Sequence, residues 1–235
     1  MSIASVGLKW LLLATLVLPA SLCASEDPHR DHQGAAKTAP GYFPLAFPAP
    51  AAGSYSLPVI GSAADGEVLL DTGQRRRLHQ IFDDKLVVLS FIYTHCPDPN
   101  GCPLASYVLA QLQKQITQHR SLSQRVKLIS LSFDPDNDPP HILAAYGRHF
   151  RSPLGQWEFV TTEGHQQLQP ILDSYNQWVT PVIGPQGQAT GMLSHLLRVY
   201  LIDPQNRIRN IYSTSYLHPR LLLADLQTLA AEKPD

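Results

Sequence analysis

Two of the three cysteines in this 235-residue chain stand in one short loop, "CPDPNGC", Cys96 to Cys102. Thiols so placed can do three kinds of chemistry. They can close a structural disulfide, exchange electrons with the cysteines of a partner protein, or bind a soft cation, Cu(I) above all, as thiolates. A disulfide across so few residues adds little stability, because the effect of a crosslink grows with the loop it closes. A metal site made of two sulfurs is incomplete and calls for a third ligand from elsewhere in the chain. All three readings stay open on these residues alone.

The flanking elements must hold the loop. "LVVLSFIY", residues 86–93, is a continuous apolar run and predicts a strand buried on both faces. From 103 to 120, Leu104, Val108, Leu112 and Ile116 recur at helical spacing. Pro103 suits a first helical turn, so Cys102 is expected to cap the helix, where unpaired N–H groups and partial positive charge favour a thiolate. Pro97 and Pro99 restrict the backbone between the thiols, and Gly101 permits a tight turn.

Further along, "RVKLISLSF" (125–133) predicts a second buried strand. "DPPHILAAYGRHF" predicts a helix capped by Asp138, with Pro139 in its first turn. "QWEFVT" reads as a short strand and "EGHQQLQPILDSYN" as a helix with a kink at Pro170. "LLRVYLID" and "RIRNIYS" form a hairpin across "DPQN", and "EVLLDT" with "RRRLHQIF" another around "DTGQ". "HPRLLLADLQTLAAE" closes the chain as an amphipathic helix. Two strand–helix–strand units, a hairpin and a last helix predict an α/β fold, a mixed central sheet with helices on both faces. In such sheets function collects where buried strands end and helices begin, which is where the two cysteines stand.

A hydrophobic fraction of 44% marks a globular chain, and a formal net charge of −1 argues against a nucleic-acid partner. Arg75, Arg76 and Arg77 form the one basic cluster and read as a solvated strand edge. Lys9, the apolar run from Trp10 to Leu18, Pro19 and the small residues beyond it have the layout of a targeting segment, so 1–25 is expected to be a signal peptide or N-terminal anchor. Leu22 before Cys23 departs from the small residue a lipidated cysteine requires, so Cys23 is expected to leave with the signal. Residues 26–56 are rich in Pro and Ala and predict a flexible linker, with His29 and His32 in a hydrophilic spacer. The folded domain is expected over 57–235. Export, to the periplasm or to a membrane-held position there, would put Cys96 and Cys102 where disulfides persist.

"FIYTHCPD", followed by "CP" and a helix, resembles the copper loop of Sco/SenC proteins, which are thioredoxin-like. "SFDPDNDPP" (132–140) and "SHLLRVYLIDPQNRIRNIYS" (194–213) resemble two further segments of that family, in the expected order from about Leu57 to the C-terminus. The resemblance implies copper, as Cu(I), Cu(II) or both, held by Cys96, Cys102 and His195. It implies a metallochaperone that delivers copper to the binuclear copper site of cytochrome c oxidase, and that catalyses nothing. The partner would be a copper-receiving oxidase subunit, with a thiol reductase as a second. The alternative is an enzyme, a thiol–disulfide oxidoreductase acting through Cys96 and Cys102 alone. Asp98, in the loop, and Asp134 and Asp138, after the second buried strand, are candidates for the surroundings of the ligands. Asp134 also reads as a turn opener. His95 is a weaker ligand candidate, because adjacent strand residues point to opposite faces. His79, His119, His141, His149, His165 and His218 fall on predicted surface segments. The loop departs from the family in length: five residues separate these cysteines, where three are usual.

Overall fold

The computed structural model describes Met1 and residues 39–232. The expected targeting segment beyond Met1, with Cys23, and the first part of the expected linker, with His29 and His32, lie outside the described residues. In chain order the elements are β1 (Gly61–Ser62), β2 (Glu67–Leu70), β3 (Arg75–Arg77), α1 (Leu78–Phe82), β4 (Leu86–Ile92), α2 (Cys102–Gln118), α3 (Arg120–Ser123), β5 (Val126–Ser132), α4 (Pro140–Gly147), β6 (Trp157–Thr161), α5 (His165–Ser174), β7 (Val179–Ile183), β8 (Ala189–His195), β9 (Arg198–Ile202), β10 (Arg207–Ser213) and α6 (Pro219–Ala231).

Among the described residues eight strands form one sheet in the order β1-β10-β9-β4-β5-β6-β2-β3, and β7 pairs with β8 apart from it. Strands β4, β5 and β6 run parallel and the others antiparallel, which is the mixed sheet expected. Every residue of β4 is buried, so the strand lies at the centre with both faces covered. On one face Phe159 of β6 meets Tyr146 of α4, and Ser106 of α2 is hydrogen-bonded to that tyrosine at 2.7 Å. On the other, Phe91 packs on Tyr175, just past α5, and on Tyr200. The buried hydroxyls of Ser90 and Ser130 bond each other at 3.0 Å, and Trp157 Nε1–H donates to Ser130 at 3.1 Å, so these polar atoms inside the sheet are paired with one another.

Register is what brings the site together. β4 and β5 pair level, from Leu86 opposite Val126 to Ile92 opposite Ser132. Their loops therefore leave the sheet side by side. β9 flanks β4 on its other edge in the antiparallel sense, with Ser90 opposite Val199. The start of β9 thus lies at the end of β4, and the chain just before it arrives at the same place.

Five details differ from the sequence expectation. "LHQIF" turns helical straight after β3, because burying Leu78, Ile81 and Phe82 needs i, i+3, i+4 spacing. Helix α2 starts at Cys102 with Gly101 as N-cap, and α4 has Pro139 rather than Asp138 as N-cap. The β7–β8 hairpin was not anticipated: its strands are mostly exposed, so neither shows the alternation of a half-buried strand. His218 is buried rather than on the surface, and its ring accepts the Arg220 N–H at the start of α6.

Residues 39–56, read from composition as linker, contain no helix or strand, yet they are tied to the domain. Tyr42 O–H lies 2.9 Å from His218 Nε2, Gly53 N–H donates to Thr228 Oγ1 at 2.9 Å, and Tyr55 O–H donates to the Asp225 carboxylate. Pro/Ala-rich composition masks these anchors, because each is a single residue meeting a partner far away in sequence. Just beyond, Arg209 donates to Leu57 O at 3.0 Å and pairs with Asp203. Asp225 also accepts from Tyr212 O–H and Asn210 Nδ2. Tyr55→Phe removes one of three donors to this buried carboxylate and is expected to lower the unfolding free energy by about 1–3 kcal/mol, read by chemical denaturation.

Candidate metal centre

The loop is tied at both ends before any ligand is considered. Cys96 N–H bonds Tyr93 O at 3.3 Å, and Tyr93 N–H reaches back to Cys102 Sγ at 3.4 Å. Asp98 organises the middle: its carboxylate accepts Asn100 N–H at 2.9 Å and its carbonyl accepts Gly101 N–H at 3.0 Å. Gly101 serves close approach rather than a left-handed φ. Its φ is −99°, but a Cβ there would stand 3.2 Å from Cys96 Sγ.

The thiols divide their roles by burial. Cys102 is 1% exposed, whereas Cys96 is partly open to solvent. Both are free thiols. The Cys102 thiol hydrogen-bonds the Cys96 sulfur, and the Cys102 backbone N–H adds to it, holding Cys96 down to about 5 against the opposing effect of burial. Cys102 moves the other way, because its proton is held by the Cys96 thiolate and its sulfur is buried. This reverses the expectation of a Cys102 thiolate. The N–H at the helix start points to the neighbouring sulfur, so the helix stabilises charge on Cys96.

His195 ends β8, opposite Val179, just ahead of the β9–β10 hairpin. Its Nε2 lies 3.7 Å from Cys102 Sγ. Its Nδ1 is 3.5 Å from Leu193 O, so a proton on Nδ1 leaves the Nε2 lone pair facing the sulfur. The ring is held by Phe133, 4.7 Å away between centroids, and by the edge of Tyr93 at 6.0 Å. Burial raises the Tyr93 hydroxyl to about 12, so it stays protonated beside the thiols. Sequence reasoning gave Tyr93 and Phe133 no role. The signal was there in alternation, which puts Tyr93 on the same face as Phe91.

Cys96, Cys102 and His195 form a chain of neighbours with Cys102 in the middle. Among the described residues no three His, Cys, Asp or Glu side chains are gathered closely enough to hold a metal ion as they stand. The donor set nevertheless fits a soft cation: a thiolate on a loop, a second sulfur, and an imidazole lone pair already directed at it.

The three aspartates divide. Asp138, fully buried, accepts from Thr94 N–H at 3.0 Å, from Thr94 Oγ1–H, and from Ser132 Oγ–H at 2.6 Å. It clamps the chain leaving β4 to the end of β5, so it supports the loop from behind. Asp134 closes a turn, with both carboxylate oxygens taking Asn137 Nδ2–H at 3.0 Å. Asp98 is an exposed turn residue within the loop. His95 is exposed and bonds Thr94 Oγ1 at 3.1 Å.

Solved structures share this architecture, the thioredoxin-like α/β fold. A SCO1/SenC family lipoprotein from Bacillus anthracis superposes with a TM-score of 0.61 at 23% identity, over 74% of this chain and 97% of that one. ScoI of Bradyrhizobium japonicum, solved with copper bound, gives 0.59 at 21%, over 72% and 99%. The family follows from sequence: the SCO1/SenC profile matches residues 67–231, and this chain belongs to that family. The SCO1 protein homolog of Bacillus subtilis is 26% identical over 124 residues, 52% of this chain and 59% of that protein. The human mitochondrial SCO2 homolog is 26% identical over 148 residues, 63% and 52%. The chain thus spans between half and three-fifths of these two relatives.

Cys96 is expected to react with iodoacetamide at a rate that stays level down to mildly acidic pH and falls only as pH drops through about 5. An ordinary thiol loses its thiolate below a pKa of about 8.5. Peptide-resolved mass spectrometry over a pH series checks this, with Cys102 expected to be labelled far more slowly.

Proposed function

We propose that this chain binds copper through Cys96, Cys102 and His195 and passes it, as cargo, to a copper-receiving subunit during assembly of cytochrome c oxidase. The observation that carries the proposal is the 3.7 Å approach of His195 Nε2 to Cys102 Sγ. A dithiol that only exchanges electrons needs no imidazole there; a copper site needs a third donor. Family membership supports the same reading. Relatives from Arabidopsis thaliana, Bradyrhizobium japonicum and yeast are described with copper bound. Another, BsSco, is described as a member of a family of cytochrome c oxidase assembly proteins.

In this proposal Cys102 and His195 are the fixed donors, and Cys96 joins them from the loop. Two thiolates and an imidazole lone pair offer a cation negative charge and soft donors, and release by ligand exchange needs no catalysis. Export to the periplasm, with residues 1–25 as signal or anchor, belongs to the proposal too. Among the described residues no helix is long and apolar enough to cross a membrane.

One observation favours a second reading, thiol–disulfide exchange. Cys96 is held as a thiolate at neutral pH, and a thiolate is the attacking species in that chemistry. The two readings part at His195. His195→Ala is expected to weaken Cu(I) binding at least about 10–100-fold, the range seen when even an outer partner of a ligand is lost. The Cys96–Cys102 couple should still oxidise and reduce. Cys96→Ser and Cys102→Ser should abolish both. Cu(I) competition titration alongside glutathione redox titration checks this; unchanged copper affinity in His195→Ala would favour the oxidoreductase.

A further inference from the structure

We propose that Gly41 and Tyr42 form a strap that positions the Cys96–Cys102 loop, so that the arm ahead of the sheet sets where the Cys96 sulfur sits. The proposal rests on packing, independently of which cargo or partner the thiols serve.

Gly41 is buried directly on the loop. A Cβ at Gly41 would stand 2.6 Å from Pro99 O and 2.5 Å from Asn100 Oδ1. The first of these is backbone, so the two segments touch with no room for one methyl group. Pro97, Asp98, Pro99 and Asn100 are otherwise exposed, which makes the arm a principal external support of this stretch.

The strap is itself anchored. The Tyr42 ring packs on Tyr107 of α2, 5.0 Å between centroids, and stacks on His218 at 5.4 Å. With His218 Nδ1 accepting the Arg220 N–H, its Nε2–H donates to the Tyr42 hydroxyl at 2.9 Å. Behind Gly41 and Tyr42 the arm bridges a cavity of about 320 Å³ floored by Leu104 and Leu217. At this end of the arm, support for the loop is therefore concentrated at those two residues.

A path from strap to sulfur is short and made of contacts already described. Asn100 N–H and Gly101 N–H both bond Asp98, Asp98 O lies 3.9 Å from Cys96 Sγ, and Gly101 abuts the same sulfur. Moving Pro99 and Asn100 must move that turn. The arm thus adds an outside stop to a loop whose own hydrogen bonds close only its middle and its ends.

The test uses the full chain with free thiols and no copper, so its outcome is separable from the copper reading. Gly41→Ala is expected to change the alkylation rate of Cys96 at fixed pH severalfold, and to shift the amide resonances of Asn100, Gly101 and Cys102. Ile81→Ala, a core truncation beside the Lys127 end of β5, at the opposite end of the strands, serves as the stability control and should leave both readouts in place. An unchanged Cys96 rate with unshifted loop amides in Gly41→Ala overturns the proposal. So does an equal change in Ile81→Ala, which would mark a general loss of stability. If Gly41→Ala does not fold, Tyr42→Phe decides. It keeps the ring and removes only the hydroxyl bond to His218, and faster hydrogen exchange at Asn100 and Gly101 is expected; unaltered exchange overturns the strap.

Discussion

The level parallel pairing of β4 with β5 is the constraint on which the rest of the site depends. Because Ile92 and Ser132 end opposite each other, the cysteine loop and the Asp134–Asp138 segment emerge together. Asp138 then bonds across the gap to Thr94 and Ser132. Antiparallel β9 on the other edge of β4 returns His195 to the same end of the sheet. A one-residue slip of β4 would turn its side chains to the opposite faces and carry the thiol loop away from both neighbours.

Within that frame the chemistry follows from unequal burial. Cys102 sits at the first residue of a helix whose following turns are in the core, so its sulfur is enclosed. Cys96 sits on the loop, partly solvated and next to N–H groups. One proton shared unequally between two sulfurs goes to the one where charge would be most costly. The outcome is a thiolate facing outward and a thiol facing inward, with the His195 imidazole 3.7 Å from the inner sulfur. Aromatic packing by Phe133 and Tyr93 holds that imidazole without adding charge.

The added parts lie around the sheet rather than in it. The β7–β8 hairpin contributes His195 from its last residue, and Leu193 of the same strand exchanges hydrogen bonds with the Tyr93 hydroxyl. The 39–56 arm lies along α6 and reaches the loop at Gly41. Neither segment has a continuous buried face of its own. Each is held by a few specific contacts.

The sequence by itself determined the sheet, its buried strands, the main helices and the dithiol loop. These depend on local signals: unbroken apolar runs, helical periodicity, and prolines and glycines at turns. Its likeness to a family singled out His195 among ten histidines, which no local pattern distinguished. Only the tertiary structure decided which thiol carries the charge, because that depends on burial and on where one backbone N–H points. Only it showed Asp138 as a clamp between strands instead of a helix cap, since Thr94 is distant in sequence and adjacent in space. The same holds for the arm. Its composition reads as a tether, yet Gly41, Tyr42 and Tyr55 are anchored by partners between about 60 and 180 residues away, and a contact made over that distance leaves no mark in the local sequence.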